Sequence, residues 1–347
     1  MKKQFLVAAG FSLFAGAAAG AQQANFCPAG TSTVIGGVTI PDRDRASQDA
    51  CQMAVDVFQV MAPQLGLALA GGNATLGQGS TLGGIGHFSV GVRANLFSGD
   101  LPQVQSFPQP STNGRTVHTL PSKSALLGLP TADAAIGIFG GLPLALTNVG
   151  GVDLLLSASY VPTIGDSTSD VAITPAQNFQ VGYGARIGLL SESIVVPGVA
   201  LTYIKRDLPS TSIIGKSTNL DVNITKAKVE TSAWRVTVSK SLLLFGVVVG
   251  AGQDTYKQAA SVQATTRGTP VGTQTSSVVL LSQDLKRTNI FADLSLNLPL
   301  FKIVGEIGNA SEGKIGGSST ATTFNTFSSG AAGRSMTYGS VGMRLGF

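Results

Sequence analysis

A chain of 347 residues is long enough for one large domain or two medium ones, yet only 12% of it is Asp, Glu, Lys or Arg, about half the usual share for a soluble protein. With 43% hydrophobic residues, 44 glycines and a mean hydropathy of +0.28, the composition excludes a charged disordered chain, a coiled coil and a collagen repeat. A formal charge of +5, with no basic run interleaved with aromatics, gives no footing for nucleic acid as a partner.

Lys2 and Lys3 precede an apolar stretch from Phe5 to Ala18 and the small residues Ala19-Gly20-Ala21, the pattern of an export signal. Residues 1–21 are therefore expected to be a signal peptide, with the mature chain starting at Gln22 and its charge falling to +3 as the two lysines leave. An exported chain meets an oxidising compartment, where Cys27 and Cys51, the only two cysteines, are expected to form a disulfide. They lack the C-x-x-C spacing and the nearby His of a redox or metal pair. Closing that loop is worth roughly 3 kcal/mol in chain entropy.

Residues 22–84 do not read as strand. Ala50, Ala54, Val57 and Met61 fall at helical spacing, with Gln48, Asp49, Gln52, Asp56 and Gln59 on the other side, Ser47 as N-cap and Pro63 as the stop. Leu65 to Gly84 then turns apolar and Gly-rich, suited to close packing. Two readings stand open: a helical plug that gates the periplasmic mouth of a barrel formed by the rest of the chain, or a periplasmic cap that only completes folding.

From residue 85 to 347 the chain alternates with period two in segments of about ten residues. Phe88, Val90, Val92, Ala94 and Leu96 face away from Ser89, Gly91, Arg93 and Asn95. The pattern returns in Val152–Tyr160, Phe179–Leu189, Trp234–Ser239, Asn289–Leu298 and from Met336, and more weakly in Ala134–Gly140, Val199–Arg206, Leu243–Gln253 and Phe301–Gly308. After the leader the longest apolar run, Leu242 to Gly252, is too short for a spanning helix. The polar face carries Gly, Ser, Asn and isolated charges rather than the Lys, Glu and Thr of a solvated sheet, so it suits the inside of a tube whose other face meets lipid. Short turns near 142–150, 191–196, 239–242 and 298–300 alternate with long polar loops over 98–130, 162–176, 207–228, 257–285 and 310–333, as the two rims of an outer-membrane barrel do. The expectation is an all-β fold: a closed antiparallel transmembrane barrel of about 10 strands, or 12 if pieces such as Leu220–Ile224 and Val278–Leu281 add strands instead of extending hairpins.

The final residues, Ser340-Val341-Gly342-Met343-Arg344-Leu345-Gly346-Phe347, resemble the C-terminal β-signal of Gram-negative outer-membrane proteins, on Ser340, Gly342, Leu345 and the terminal Phe347. That resemblance implies recognition by the barrel-assembly machinery and insertion into the outer membrane, with its lipid and lipopolysaccharide as surroundings. An N-terminal hatch before a monomeric barrel is similar in layout to long-chain fatty-acid transporters. Those barrels have more strands, and Gly72-Asn73-Ala74 is only a faint echo of their hatch motif, so no functional residue carries over.

Chemistry has few candidates. His87 and His118 are the only histidines, and Ser122 or Asp133 near His118 is the only conceivable hydrolase arrangement, without supporting local sequence. No catalytic, metal or cofactor site is expected, and an outer-membrane lipid enzyme ranks third among the functions. The inward row is more informative: Arg93, Arg186, Arg206, Arg235, Lys302 and Arg344 against Asp153, Asp293 and Glu306, three charges in favour of cation. An open lumen would then prefer anions and pass small solutes, whereas a narrow one would pair these charges with one another in a closed structural or surface-interaction barrel.

Overall fold

The computed structural model describes residues 27–28, 33–40, 43–144, 146–166, 168–268, 272–317, 323–328 and 330–346. The expected signal peptide at 1–21, the start at Gln22 and the terminal Phe347 lie outside the described residues.

Ten strands succeed one another: β1 (Phe88–Pro102), β2 (Ser122–Phe139), β3 (Gly151–Tyr160), β4 (Phe179–Leu190), β5 (Gly198–Asp207), β6 (Leu220–Leu242), β7 (Phe245–Thr266), β8 (Val279–Asn297), β9 (Lys302–Ala310) and β10 (Met336–Gly346). Each pairs antiparallel with its sequence neighbour, and β10 pairs back onto β1 from Tyr338–Phe97 to Gly346–Ser89. The ring therefore closes without a crossover, and the expected ten-stranded antiparallel barrel is the fold. Closure pairs the backbone groups that an open sheet edge would leave bare.

The barrel has two storeys. In the half next to the short turns, aliphatics and aromatics point out and polar groups point in: on β4, Phe179, Val181, Tyr183, Ile187 and Leu189 are exposed while Arg186 is buried. In the half next to the long loops the parity inverts. On β6, Lys228 and Glu230 are exposed while Leu220, Val222, Ile224, Ala227 and Val229 are buried, and on β8, Asp284 and Lys286 are exposed while Val279, Leu281 and Leu285 are buried.

This inversion corrects two of the expected loops. Much of 207–228 and 257–285 is strand, because β6, β7 and β8 run on past the apolar-out region and change which face is apolar. The pieces Leu220–Ile224 and Val278–Leu281 thus extend the β6–β7 and β7–β8 hairpins. Short segments of the long loops add to the sheet at the same end: Val171–Pro175 pairs with Thr211–Lys216, which pairs with β6, and Lys314–Gly317 pairs with β8.

Inside the upper storey lies the helix α1 (Arg43–Ala70), with 22 of its 28 residues buried. It is longer than expected at both ends: Ser47 is within it, and so is Pro63. A proline forfeits one helical hydrogen bond, but barrel wall on every side outweighs that loss. Met53, Ala54, Val57 and Phe58 pack with Val222, Ile224, Ala260, Val262 and Leu281 in the largest apolar core. By length and composition α1 could itself cross a membrane, yet it is mostly buried within the protein.

Candidate functional site

After α1, residues 71–87 form a strap that descends the lumen to the short-turn rim. Small residues permit this close passage. Gly72, at φ +79°, lies against the Glu306 carboxylate, Gly77 against Val304 and Gly79 against Ser239 and Val248, while Thr81 touches Gly151 and Gly188. Helix and strap together therefore occupy the barrel from the long-loop end to the short-turn end. The helix sits among the long-loop halves of the strands, not at the short-turn mouth expected from the sequence. Its apolar residues match the apolar interior that only the upper storey offers.

The inward charges converge on this occupant. Arg93 pairs with Asp133 at 3.0 Å and donates to Asn73 O at 2.5 Å. Arg206 reaches Asp133 at 3.2 Å, Ala74 O at 2.7 Å and Leu69 O at 3.5 Å. Arg186 stands 3.5 Å from Asp153 and donates to Ser80 O at 3.1 Å. Arg235 pairs with Asp254 and donates to Gly72 O at 3.1 Å and Ala70 O at 2.8 Å. The acids take the strap's N–H groups: Glu306 accepts from Asn73 N at 2.7 Å, Asp293 from Gly77 N at 2.9 Å and from Asn73 Nδ2 at 2.8 Å, and Asp153 from Leu82 N at 3.1 Å. Arg344 donates to Leu76 O at 3.4 Å, and Lys302 is half-buried at the short-turn rim.

This arrangement solves two problems at once. Buried charges cost several kcal/mol each unless paired and hydrogen-bonded, and the end of a buried helix leaves four carbonyls without partners. The last turn of α1 has no basic residue of its own. Asn95 Nδ2 donates to Leu67 O and Ala68 O at 3.1 Å each, and Arg206 and Arg235 cover Leu69 O and Ala70 O. Barrel arginines thus supply the positive charge that a helix C-terminus favours.

The expected excess of three cations overlooked Asp133, Asp254 and Arg287, all buried. Parity could have found them, since Asp133 shares the inward face of β2 with Thr131 and Ala135, and Asp254 shares that of β7 with Gly252 and Tyr256. With them the excess falls from three cations to two. Of the terminal motif, Ser340 is buried with its Oγ 2.9 Å from Glu306 Oε1 and 3.0 Å from Asn95 Oδ1, its single proton shared between the two acceptors, Gly342 lies against Val92 O, and Leu345 is half-buried.

At the long-loop end the polar side of α1 is buried as well, because loops fold onto it. Asp49 accepts Ser111 N at 2.7 Å and Thr116 N at 2.8 Å and stands 2.8 Å from His118 Nε2. Asp56 accepts Phe324 N at 3.1 Å, Asn325 N at 2.8 Å and Asn325 Nδ2 at 2.8 Å. Burial pushes the Asp49 carboxyl upward and that of Asp56 up to about 6. A disulfide joins Cys27 to Cys51 on this helix, with Cα atoms 5.9 Å apart. The acid beside His118 is therefore Asp49. Asp133 lies in the lumen with Arg93 and Arg206, Ser122 Oγ meets Ser328 Oγ at 3.1 Å, and His87 is exposed before β1.

No family model matches the chain, and no curated protein matches its sequence. Among solved structures it is similar to the TodX deltaS2S3 mutant monoaromatic hydrocarbon channel, at 10% identity and a TM-score of 0.29 over 75% of this chain and 67% of that one. The toluene transporter TodX of Pseudomonas putida gives 9% identity and a TM-score of 0.29 over 80% and 98% of the two chains. An anion-selective porin from Comamonas acidovorans gives 11% and 0.17 over 75% and 98%. At these scores the likeness carries no argument about what this chain does.

Proposed function

We propose that this chain is a monomeric outer-membrane barrel that passes small solutes, anions before cations, when its strap leaves the lumen, and that the barrel with helix and strap inside is its closed state. The observation that carries the reading is the kind of contact holding the strap. Residues 71–82 meet the lower barrel mainly through hydrogen bonds to backbone groups, with one small apolar cluster around Ala74. Such bonds, each to a charged side chain, exchange for bonds to water at a net cost of about 1.5–3 kcal/mol each. Withdrawing α1 would instead open an apolar core, at about 25 cal/mol per Å². The strap is therefore the cheap moving part, and its departure would leave five lumen arginines facing water. Outer-membrane placement is supported by the apolar exterior of the lower storey and by the terminal motif, through which the assembly machinery would take up the chain.

A filled lumen equally suits the second reading, a closed barrel whose loops do the work. Single-channel recording in a planar bilayer separates the two. Replacing Asp293→Asn together with Glu306→Gln removes two of the three carboxylates that, among the described residues, accept the strap's N–H groups, leaving Asp153 on Leu82 N. Openings at least tenfold more frequent than in the unmodified protein, with anion preference, are expected. Silence of both proteins, each still showing the heat-dependent gel shift of a closed barrel, would leave the structural barrel as the answer.

A further inference from the structure

At the short-turn mouth the strap from Gly77 to Leu82 leaves a cavity of about 190 Å³ between itself and the barrel rim. Two cations enter it from neighbouring strands, for Lys302 on β9 and Arg344 on β10 stand directly opposite each other in the register and both line the cavity. Like charges so placed repel, and neither makes an ion pair with a described residue. The one carboxylate on the cavity wall, Glu192, accepts Ser239 Oγ at 2.8 Å and Ser241 N at 2.5 Å, both on that same wall, so it offsets one of the two cations and leaves the lining one positive charge in excess. Arg344 is only 9% exposed. Its Nη1 is committed to Leu76 O and to Gln78 Oε1 at 3.2 Å, while its Nε is buried with no hydrogen-bond partner. A buried guanidinium N–H left bare is costly, and what satisfies it best is a negatively charged oxygen.

The geometry points to a binding site in this mouth for a small free oxyanion, of the size of inorganic phosphate or a short carboxylate, clamped between Lys302 and Arg344. The ligand would cancel the cross-strand repulsion between Lys302 and Arg344, both of which line the cavity. Because the strap forms one wall, the site belongs to the closed state. It rests on the passage reading and gives that reading its solute class. Equilibrium binding tests it without any need for conduction, so a silent barrel that binds and a conducting barrel that does not are distinguishable results.

The test is calorimetric titration of inorganic phosphate into the full chain in a non-ionic detergent at low chloride. One saturable site is expected, with Kd raised at least tenfold by Lys302→Gln and likewise by Arg344→Gln. Lys302 is half-buried at the rim and makes no hydrogen bond to the strap among the described residues, so its variant reports on binding even if Arg344→Gln does not fold. Absence of a saturable heat, or an unchanged Kd in the folded Lys302 variant, overturns the site.

Discussion

Gly72 shows how tightly the strap is fitted. Its φ of +79° is a conformation that a side chain resists, and a Cβ there would lie 1.8 Å from Glu306 Oε1. Alanine must therefore push the carboxylate away from Asn73 N and Ser340 Oγ, which it now holds at 2.7 and 2.9 Å. Backbone strain of about 1 kcal/mol and a lost charge-assisted bond of about 1.5–3 kcal/mol add in the same direction. Gly72→Ala is expected to expose residues 71–87 to protease at least tenfold faster in detergent solution, with barrel strands still resistant. Cleavage at the unmodified rate would mean that the Glu306 contact does not hold the strap.

At the scale of elements, α1 is fastened differently from the strap, by an apolar core and by two buried acids that gather loop N–H groups. Asp56 faces Phe324 N, Asn325 N, Asn325 Nδ2 and Gln52 Nε2, with no cation among its partners, so burial raises its carboxyl from 3.8 to about 6. The folded chain then binds this proton more tightly than the unfolded one. Its contribution to stability is complete below pH 3.8 and is lost as pH rises through about 6. Denaturant midpoints of the full chain should fall between pH 4 and pH 7 more steeply in the unmodified protein than in Asp56→Asn, and parallel profiles would show that Asp56 ionises without penalty. Little of this was legible in the sequence. The strands of the lower storey were, because Phe88 to Leu96 or Phe179 to Leu189 keep one parity from end to end. Asp56 and Asp49 read as the wet side of an amphipathic helix, since nothing local says that loops from residues 111 and 325 will fold over them. The upper halves of β6 to β8 read as loops for a related reason: Ala227, Val229, Val262 and Leu281 are apolar on the parity that is polar lower down, and on β6 a bulge between Thr225 and Lys228 shifts the phase once more. A period-two pattern that changes phase looks like no pattern until the barrel's contents are known. Most lumen charges were legible between apolar neighbours, as Arg186 is between Ala185 and Ile187; Asp254 was missed because Gln253 and Thr255 beside it are polar too, and Asp133 because the alanines on either side of it mark an apolar face only weakly.

At the scale of the whole molecule, the change of phase marks a level, and the level is the same on adjacent strands. Trp234 on β6 pairs with Gln253 on β7, which pairs with Thr288 on β8. Below that row the exterior is Val236, Val238, Val247, Val249, Ile290 and Leu294, and above it Glu230, Lys257, Lys286 and Asp284. On the other side of β6, Tyr203 pairs with Trp234, and the exterior ion pairs of Lys205 with Asp207 and Glu230 lie just above. From Leu242 to Trp234 the strand takes eight steps of about 3.3 Å at a tilt of about 40°, roughly 20 Å of height, close to the apolar band of about 25 Å found on outer-membrane barrels. In the proposed outer-membrane setting Trp234, 46% exposed, would sit where an aromatic ring meets both acyl chain and headgroup. It is the only tryptophan in the chain, so its fluorescence reports on this position alone. In bilayers of brominated lipid its emission should be quenched strongly, and more by bromine near the carboxyl end of the acyl chain than by bromine near the methyl end. Equal quenching at both depths would move the band upward past Trp234. Emission indifferent to either lipid would mean that the exposed aliphatics of the lower storey do not touch a membrane, and the proposed setting of the barrel would fall with it.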